Sequence, residues 1–214
     1  MQDLLPDSSI GLPVAALAAA TCLRASLAAE LRRAEGPSAG LRLASETMDS
    51  LIAAMAVVFL IVRPFMAQAF FIPSSSMAPT LVPSDRILVN KLAYRLGEPK
   101  RNEVAVFRAP PEADPSGRRE ERDFVKRVVG LPGDVIEVRG GVTYVNGRPD
   151  HAPGAEPPDY ELDPFVVPPG TLFVMGDNRG HSNDSHWWGP LEKSRLVGKA
   201  VAIFWPPERA GAIQ

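Results

Sequence analysis

The stretch DVIEVRGGVTYVNGRP, residues 134–149, contains two short runs in which apolar and polar residues alternate. Gly140-Gly141 separates the two runs, and Asn146-Gly147 follows the second one. Gly-Gly and Asn-Gly pairs readily adopt the positive φ angles that tight hairpin turns require. The stretch therefore predicts an antiparallel β-hairpin followed by another tight turn, and it indicates a β fold.

Similar runs occur on both sides of this hairpin. Each is short and rich in β-branched or aromatic residues; they are 86–94, 103–109, 123–129, 170–177 and 196–205. No helical pattern of comparable strength follows residue 72. We therefore predict a mainly β domain with a twisted antiparallel sheet or barrel-like arrangement and long connections.

The composition excludes several classes of function. The 214 residues carry a formal charge of −2, so nothing favours nucleic acid as a partner. The single cysteine, Cys22, cannot form an intramolecular disulfide or a cysteine-based zinc site. We expect an ordinary globular protein that uses neither a metal ion nor a cofactor.

The most apolar part of the chain precedes the strand-like runs. Residues 51–62 form an uninterrupted apolar run, which continues through Arg63-Pro64 to residue 72. We predict a transmembrane anchor over 49–72, because a helix of this length can cross a bilayer of ~30 Å and an arginine can snorkel. A cleaved secretory signal is the alternative, since Ala67-Gln-Ala69 resembles a cleavage site.

This interpretation divides the chain into four parts. Residues 1–48 are an Ala-rich N-terminal extension, expected on the cytoplasmic side, and 49–72 are the anchor. Residues 73–208 are the extracytoplasmic β domain, and 209–214 are a C-terminal tail.

Three consecutive serines, residues 74–76, lie between two prolines directly after the apolar segment. A serine hydroxyl needs a nearby base to act as a nucleophile at neutral pH. The three histidines, at 151, 181 and 186, follow no pattern that indicates a Ser-His-Asp set. Lys126 is the other candidate base, because alternation along 123–129 places it on one strand face with Phe124 and Val128. A lysine buried there loses hydration of its charged form, whereas an ordinary strand lysine would keep its ammonium in solvent.

Five sequence blocks, in the same order along the chain, resemble those of a known family, the type I signal peptidases. Members of this family are membrane-anchored Ser–Lys proteases that remove leader peptides from exported proteins. The blocks are PSSSMAPTLVPSDRILVNK (73–91), EVAVFRAP (103–110), DFVKRVVGLPGDVIEV (123–138), MGDNRGHSNDSHWWGPL (175–191) and LVGKAVAIFW (196–205). The resemblance covers roughly residues 50 to 205. Lysine rather than histidine at position 126 resembles the bacterial and organellar branch.

The resemblance implies a role for each of several residues. Ser76 would be the nucleophile and Lys126 the general base, while the Ser74 hydroxyl and the Ser76 amide would form the oxyanion hole. Ser182 would orient the lysine amine and Asp184 would support it. Asp177, Asn178 and Arg179 would build the turn that carries these two residues. Arg127 would anchor this turn through an ion pair with an acidic residue that the sequence does not identify.

Two positions depart from the family pattern. Gly180-His181 stand where an acidic or polar pair is common, and His186 stands where an arginine is usual. Both departures weaken the expected supporting salt bridges more than the reaction. The Pro-rich segment 149–169 is predicted to be a loop, and its short length implies a minimal catalytic core without a second lobe.

The resemblance also implies the biological setting. Substrates would be exported preproteins with small residues at −1 and −3, bound extended beside the catalytic segment. The enzyme would be a monomer in contact with membrane lipid, passing once through a bacterial plasma membrane with its catalytic domain outside. Phe70, Phe71, Trp187 and Trp188 are candidates for an apolar rim at the bilayer, or for ordinary core packing.

Two other functions stay open from the sequence. A self-cleaving repressor-type Ser–Lys protease shares the β architecture, although residues 1–48 contain no convincing helix-turn-helix. A non-catalytic membrane-anchored β module that binds export clients is the other alternative.

Overall fold

The structure is a computed structural model that describes residues 21, 22, 24, 25, 39–58, 67–114 and 122–213. Contacts between Cα atoms divide the chain into two compact units, with the boundary between Ala67 and Gln68. The unit that follows this boundary contains the sheets and the predicted catalytic residues.

Two antiparallel sheets make up this unit. The larger sheet has the strand order β1-β2-β11-β3-β4-β9-β10, with β12 also paired to β11. Its strands are β1 (Ala67–Phe71), β2 (Arg86–Asn90), β3 (Val104–Arg108), β4 (Asp123–Gly130), β9 (Thr171–Met175), β10 (Leu191–Glu192), β11 (Leu196–Trp205) and β12 (Gly211–Ala212). The order is open, with β1 and β10 at its ends, and register shifts in β11 increase its twist. The predicted mainly β, antiparallel fold is confirmed.

The hairpin predicted within residues 134–149 forms the centre of the smaller sheet. Its order is β7-β6-β5-β8, with β5 (Val135–Arg139), β6 (Val142–Val145), β7 (Arg148–Pro149) and β8 (Leu162–Val166). Gly140, Gly141, Asn146 and Gly147 all have positive φ angles, as the turn sequences predict. Strand β8 lies inside the Pro-rich segment that was expected to be loop. It tolerates Pro164 because an edge strand leaves one row of backbone groups unpaired.

The apolar faces of the strands pack into three clusters of buried residues. One contains Phe70, Met77 and Leu81 together with residues of β2, β3 and β11, so it underlies the segment that carries the three serines. Strand β4 contributes to all three clusters, with Val125, Val128 and Val129 in different ones. Because β4 is buried over most of its length, it is a rigid support for Lys126.

Helix α1 (Ala39–Val57) lies in the other unit, whereas the short helix α2 (Ala93–Leu96) follows β2 in the unit that contains the sheets. Within the described ranges, no helix is long and apolar enough to cross a membrane, so the transmembrane helix predicted over 49–72 is not found there. Helix α1 starts ten residues before that segment, and Ala67–Phe71 at the end of the segment are strand β1. Residues 59–66, the centre of the predicted anchor, lie outside the described residues.

The aromatic residues considered for a membrane rim divide into two groups. Phe70 is buried in the core next to β2, which supports the core alternative for this residue. Trp188 packs against the cluster around Phe107. Phe71 and Trp187 are exposed, and Trp187 keeps 75% of its surface in solvent.

The C-terminal segment differs from the expected tail. Strand β12 pairs with Ala202 and Ile203 of β11 beyond the predicted boundary at 208. Arg209 donates from Nε and Nη2 to the two carboxylate oxygens of Asp85, at 2.8 and 2.9 Å, and Asp85 is fully buried. A buried carboxylate requires a cation or several donors, which is why this segment folds onto the domain.

We predict that Arg209→Ala lowers the free energy of unfolding by about 2–3 kcal/mol, because it leaves the Asp85 carboxylate buried without its cation. Urea unfolding followed by circular dichroism measures the change. Arg148→Ala, at an exposed position on β7, is the control and should shift stability by less than about 0.5 kcal/mol. Equal effects of the two changes would contradict the proposed importance of the Arg209–Asp85 pair.

Candidate active site

Ser76 and Lys126 lie next to each other although 50 positions separate them in the chain. The Lys126 Nζ atom is 2.7 Å from Ser76 Oγ, which is hydrogen-bond distance. The lysine is 4% exposed, so its amine is almost completely removed from solvent. The pair predicted as nucleophile and base is thus within reach for direct proton transfer.

Local packing presents each partner to the other. Lys126 lies on β4 opposite Ala105 of β3, in the middle of the larger sheet. Ser76 lies in a turn where Leu81 N donates to Met77 O, and both of those side chains are fully buried. Because Met77 holds the turn to the core, the hydroxyl of its neighbour Ser76 is directed at β4.

Burial lowers the pKa of Lys126 from 10.5 to about 8, because the charged form loses its hydration. Asp184 and Asp177 oppose this shift, since their negative charges favour the ammonium. The remaining shift keeps a useful fraction of the amine neutral near neutral pH.

Ser74 is close to the pair, as the sequence predicts. Its Oγ atom lies 3.3 Å from Ser76 Oγ. The Ser76 amide donates to no acceptor among the described residues, which leaves it available to a ligand. The Ser74 hydroxyl therefore lies next to the hydroxyl of Ser76.

Arg127 binds Asp177, the partner that the sequence did not identify. Nε and Nη2 of Arg127 donate to the two oxygens of Asp177 at 2.8 and 2.7 Å, and both side chains are fully buried. Nη1 donates to the carbonyl of Asn102 at 2.7 Å. This bidentate pair joins the turn at 177–179 to the residue next to Lys126.

Ser182 and Asp184 follow in the same turn, and both are buried. No hydrogen-bond partner of the Ser182 hydroxyl is found among the described residues, so the expected contact with the Lys126 amine is not made in this structure. Asp184 accepts from the backbone amide of Gly176 at 2.8 Å and caps the short helix α3 (Ser185–Trp188). The lysine-orienting role of Ser182 stays a prediction.

A cavity of about 150 Å³ opens beside the pair. Apolar side chains of Ile72, Phe124 and Val125 line it together with the polar side chains of His181 and Asn183. The space is small, but it is large enough for a short side chain next to Ser76.

Two residues of the site had no assigned contact in the sequence. Asn178 donates from its backbone amide to Ser76 O and from Nδ2 to Ser75 O, both at 3.2 Å, and so holds the serine turn. His186 lies against Asp184, with Nδ1 at 2.7 Å from Oδ1. In the sequence, His186 stood out only as a departure from the family pattern. Its contact with Asp184 was not predictable, because it depends on the conformation at the start of α3.

The chain is similar in sequence to known peptidases. The family model described as "Signal peptidase, peptidase S26" matches residues 44–205. "Probable signal peptidase I-2" of Synechocystis sp. is 44% identical over 153 residues, which cover 71% of this chain and 69% of that protein. "Signal peptidase I" of Leptolyngbya laminosa is 40% identical and covers 73% of this chain and 78% of its own. "Thylakoidal processing peptidase 1, chloroplastic" of Arabidopsis thaliana is 39% identical over 79% of this chain and 51% of its own.

These matches assign the molecule to the serine peptidases, a class of hydrolases. Within that class, the chain belongs to the signal peptidase family, peptidase S26.

We predict that Lys126→Met raises the free energy of unfolding by about 3 kcal/mol at pH 7, since the folded protein no longer holds an ammonium in a dry site. The folded pKa of Lys126 is below the unfolded one, so between about pH 8 and 10.5 the unfolded chain binds more protons. Native stability therefore rises with pH across this window, and the gap between the variant and the wild type closes.

Urea unfolding at pH 7 and pH 10.5 measures this gap. Lys100→Met, at an exposed position, is the matched control and should show no comparable pH-dependent gain. A gap for Lys126→Met that stays constant with pH would contradict a lowered pKa.

Proposed function

We propose that this chain removes N-terminal signal peptides from exported preproteins, with Ser76 as nucleophile and Lys126 as general base. The observation that carries the proposal is the 2.7 Å contact between the Ser76 hydroxyl and an amine that is almost fully buried. The names of the relatives support the choice of substrate.

The reaction would proceed through an acyl-enzyme. Neutral Lys126 accepts the Ser76 proton while Ser76 Oγ attacks the carbonyl carbon of the scissile bond. The ammonium then protonates the leaving amine as the C–N bond breaks, which regenerates the neutral lysine. Water, deprotonated by the same amine, attacks the ester, and the proton returns to Ser76 Oγ as the acyl group leaves.

The negative oxygen of the tetrahedral intermediate needs donors. We assign this role to the Ser76 amide and the Ser74 hydroxyl, which rotates from Ser76 Oγ towards the substrate oxygen. Removing one such donor typically costs about 3 kcal/mol of transition-state stabilisation. Asn178 supports the arrangement, since it holds the carbonyl oxygens of Ser75 and Ser76 in place.

The cavity beside Ser76 supports a preference for small side chains. Its volume of about 150 Å³ and its partly apolar lining suit alanine-sized residues at −1 and −3 of an extended peptide. A charged or aromatic side chain would lack both room and polar partners there.

We further propose that the enzyme acts as a monomer at a membrane surface, with its catalytic domain on the extracytoplasmic face of a bacterial plasma membrane. Bacterial relatives named signal peptidase I support this location. The thylakoidal relative makes a thylakoid membrane the main alternative. Fractionation of the full chain with antibodies against the two membranes would distinguish them.

We predict that Ser76→Ala and Lys126→Ala each reduce preprotein cleavage at least 10³-fold, because each removes a group that changes bonds in the reaction. Cleavage of a purified preprotein in detergent, with the cut site identified by mass, measures the loss. Ser75→Ala is the matched control for the first change, and its exposed side chain predicts near wild-type cleavage.

Retained cleavage in both variants would exclude the Ser76–Lys126 pair. Unchanged preprotein binding with no cleavage by the wild type would instead support a non-catalytic binding module.

The pH dependence of kcat/KM tests the protonation state of the base. We expect kcat/KM to rise about tenfold per pH unit below pH 8 and to level off above it, because only neutral Lys126 accepts the Ser76 proton. Initial rates at low preprotein concentration between pH 6 and 10 give the profile. A level profile across this range would contradict a lysine base with a pKa of about 8.

A further inference from the structure

His186 is enclosed between aromatic rings although it lies near the end of a surface turn. Its imidazole stacks on Tyr160, with ring centres 4.1 Å apart and planes inclined by 11°. The ring centre of Trp187 lies 5.1 Å from that of His186, with the two planes inclined by 48°. Only 8% of the His186 side chain remains exposed, so the orientation of the ring is restricted.

Among the described residues, the polar partner of the ring is the buried carboxylate of Asp184. Nδ1 lies 2.7 Å from Oδ1, while the backbone amides of His186 and Gly176 donate to Oδ1 and Oδ2 at 3.2 and 2.8 Å. With the carboxylate as acceptor of all three bonds, the proton of the imidazole lies on Nδ1. The tautomer is therefore set by Asp184.

Asp184 connects this contact to the reacting groups through Gly176. A Cβ at Gly176 would lie 2.4 Å from the Ser76 carbonyl oxygen and 2.3 Å from Ser182 Oγ, so the backbone there packs directly on both residues. The amide that Asp184 holds thus belongs to the wall behind the nucleophile. The same carboxylate also raises the pKa of Lys126 against the effect of burial.

We propose that His186 is a positioning residue, which holds the Asp184 carboxylate through its Nδ1–H and the stack on Tyr160 and thereby limits the pull of that charge on Lys126. The inference rests on the proposed Ser–Lys function and deepens it. The Nδ1–H of His186 partly neutralises the charge on Oδ1 of Asp184, so this charge acts less strongly on Lys126. The stack on Tyr160 keeps the imidazole oriented towards Oδ1 and excludes water from the contact.

Two of the other charged groups around this contact, Asp177 and Arg179, are paired with other residues. Asp177 acts on Lys126 but is held by Arg127. Arg179 and Asp159 act on Tyr160, and Arg179 is bound to Thr143 and Asp150. The Tyr160 hydroxyl has no partner among the described residues, so its contribution to His186 is the face of the ring. Among these groups, His186 is the side chain that donates to Asp184.

The test compares two near-isosteric changes. Asparagine places an amide nitrogen close to the position of Nδ1, whereas glutamine places it close to Nε2 and leaves Asp184 Oδ1 without its side-chain donor. We expect His186→Gln to move the pKa seen in the kcat/KM profile upward by about one unit, which lowers kcat/KM about tenfold at pH 7. His186→Asn should keep the wild-type profile within about twofold, and KM should change little in either variant.

Rates are normalised to the number of active sites from the acyl-enzyme burst, so that partial misfolding does not imitate the effect. His151→Ala, an exposed histidine outside the site, is the matched control. A profile for His186→Gln that is unchanged or shifted downward, or a loss of active sites without any shift, would overturn the proposal. If Lys126→Ala retained cleavage, the dyad itself would fail, and this result is independent of the His186 variants.

Discussion

The removal of the Lys126 amine from water is the constraint on which the site depends. An exposed lysine is protonated at neutral pH and cannot accept a proton from serine. Strand β4 solves this by placing Lys126 in a stretch where successive residues, which point to opposite faces of the sheet, are all buried. The cost of desolvating the ammonium is met by the packing of the rest of the domain, so the stability of the fold and the basicity of the lysine are linked.

Burial has a different effect on the charge of Arg127, the residue next to Lys126. Arg127 is also fully buried, but it stays charged because Asp177 and a backbone carbonyl satisfy its donors. Since successive residues of a strand point to opposite faces, one strand provides a base of lowered pKa on one side and a fixed cation on the other. Together with the contact between Asn178 and the serine turn, this pair brings the turn at 177–184 close to both reacting groups.

Much of the fold was predictable because its signals are local. The turn residues of 134–149 and the alternation in 103–109, 123–129 and 196–205 correctly predicted strands. Three of the strands that were missed are β1, β8 and β12. Their sequences read as anchor, Pro-rich loop and tail, and they become strands only because a neighbouring strand offers unpaired backbone groups. No described helix matches the predicted membrane span.

The sequence by itself determined the types of reacting group, the candidate residues Ser76 and Lys126, and the blocks that indicate the family. Only the tertiary structure decided which groups meet: the 2.7 Å contact, the choice of Asp177 as the partner of Arg127, and the pairing of His186 with Asp184 and Tyr160. The physical reason is that desolvation and hydrogen bonding depend on distances between residues up to 50 positions apart, which strand pairing and packing set and local sequence does not.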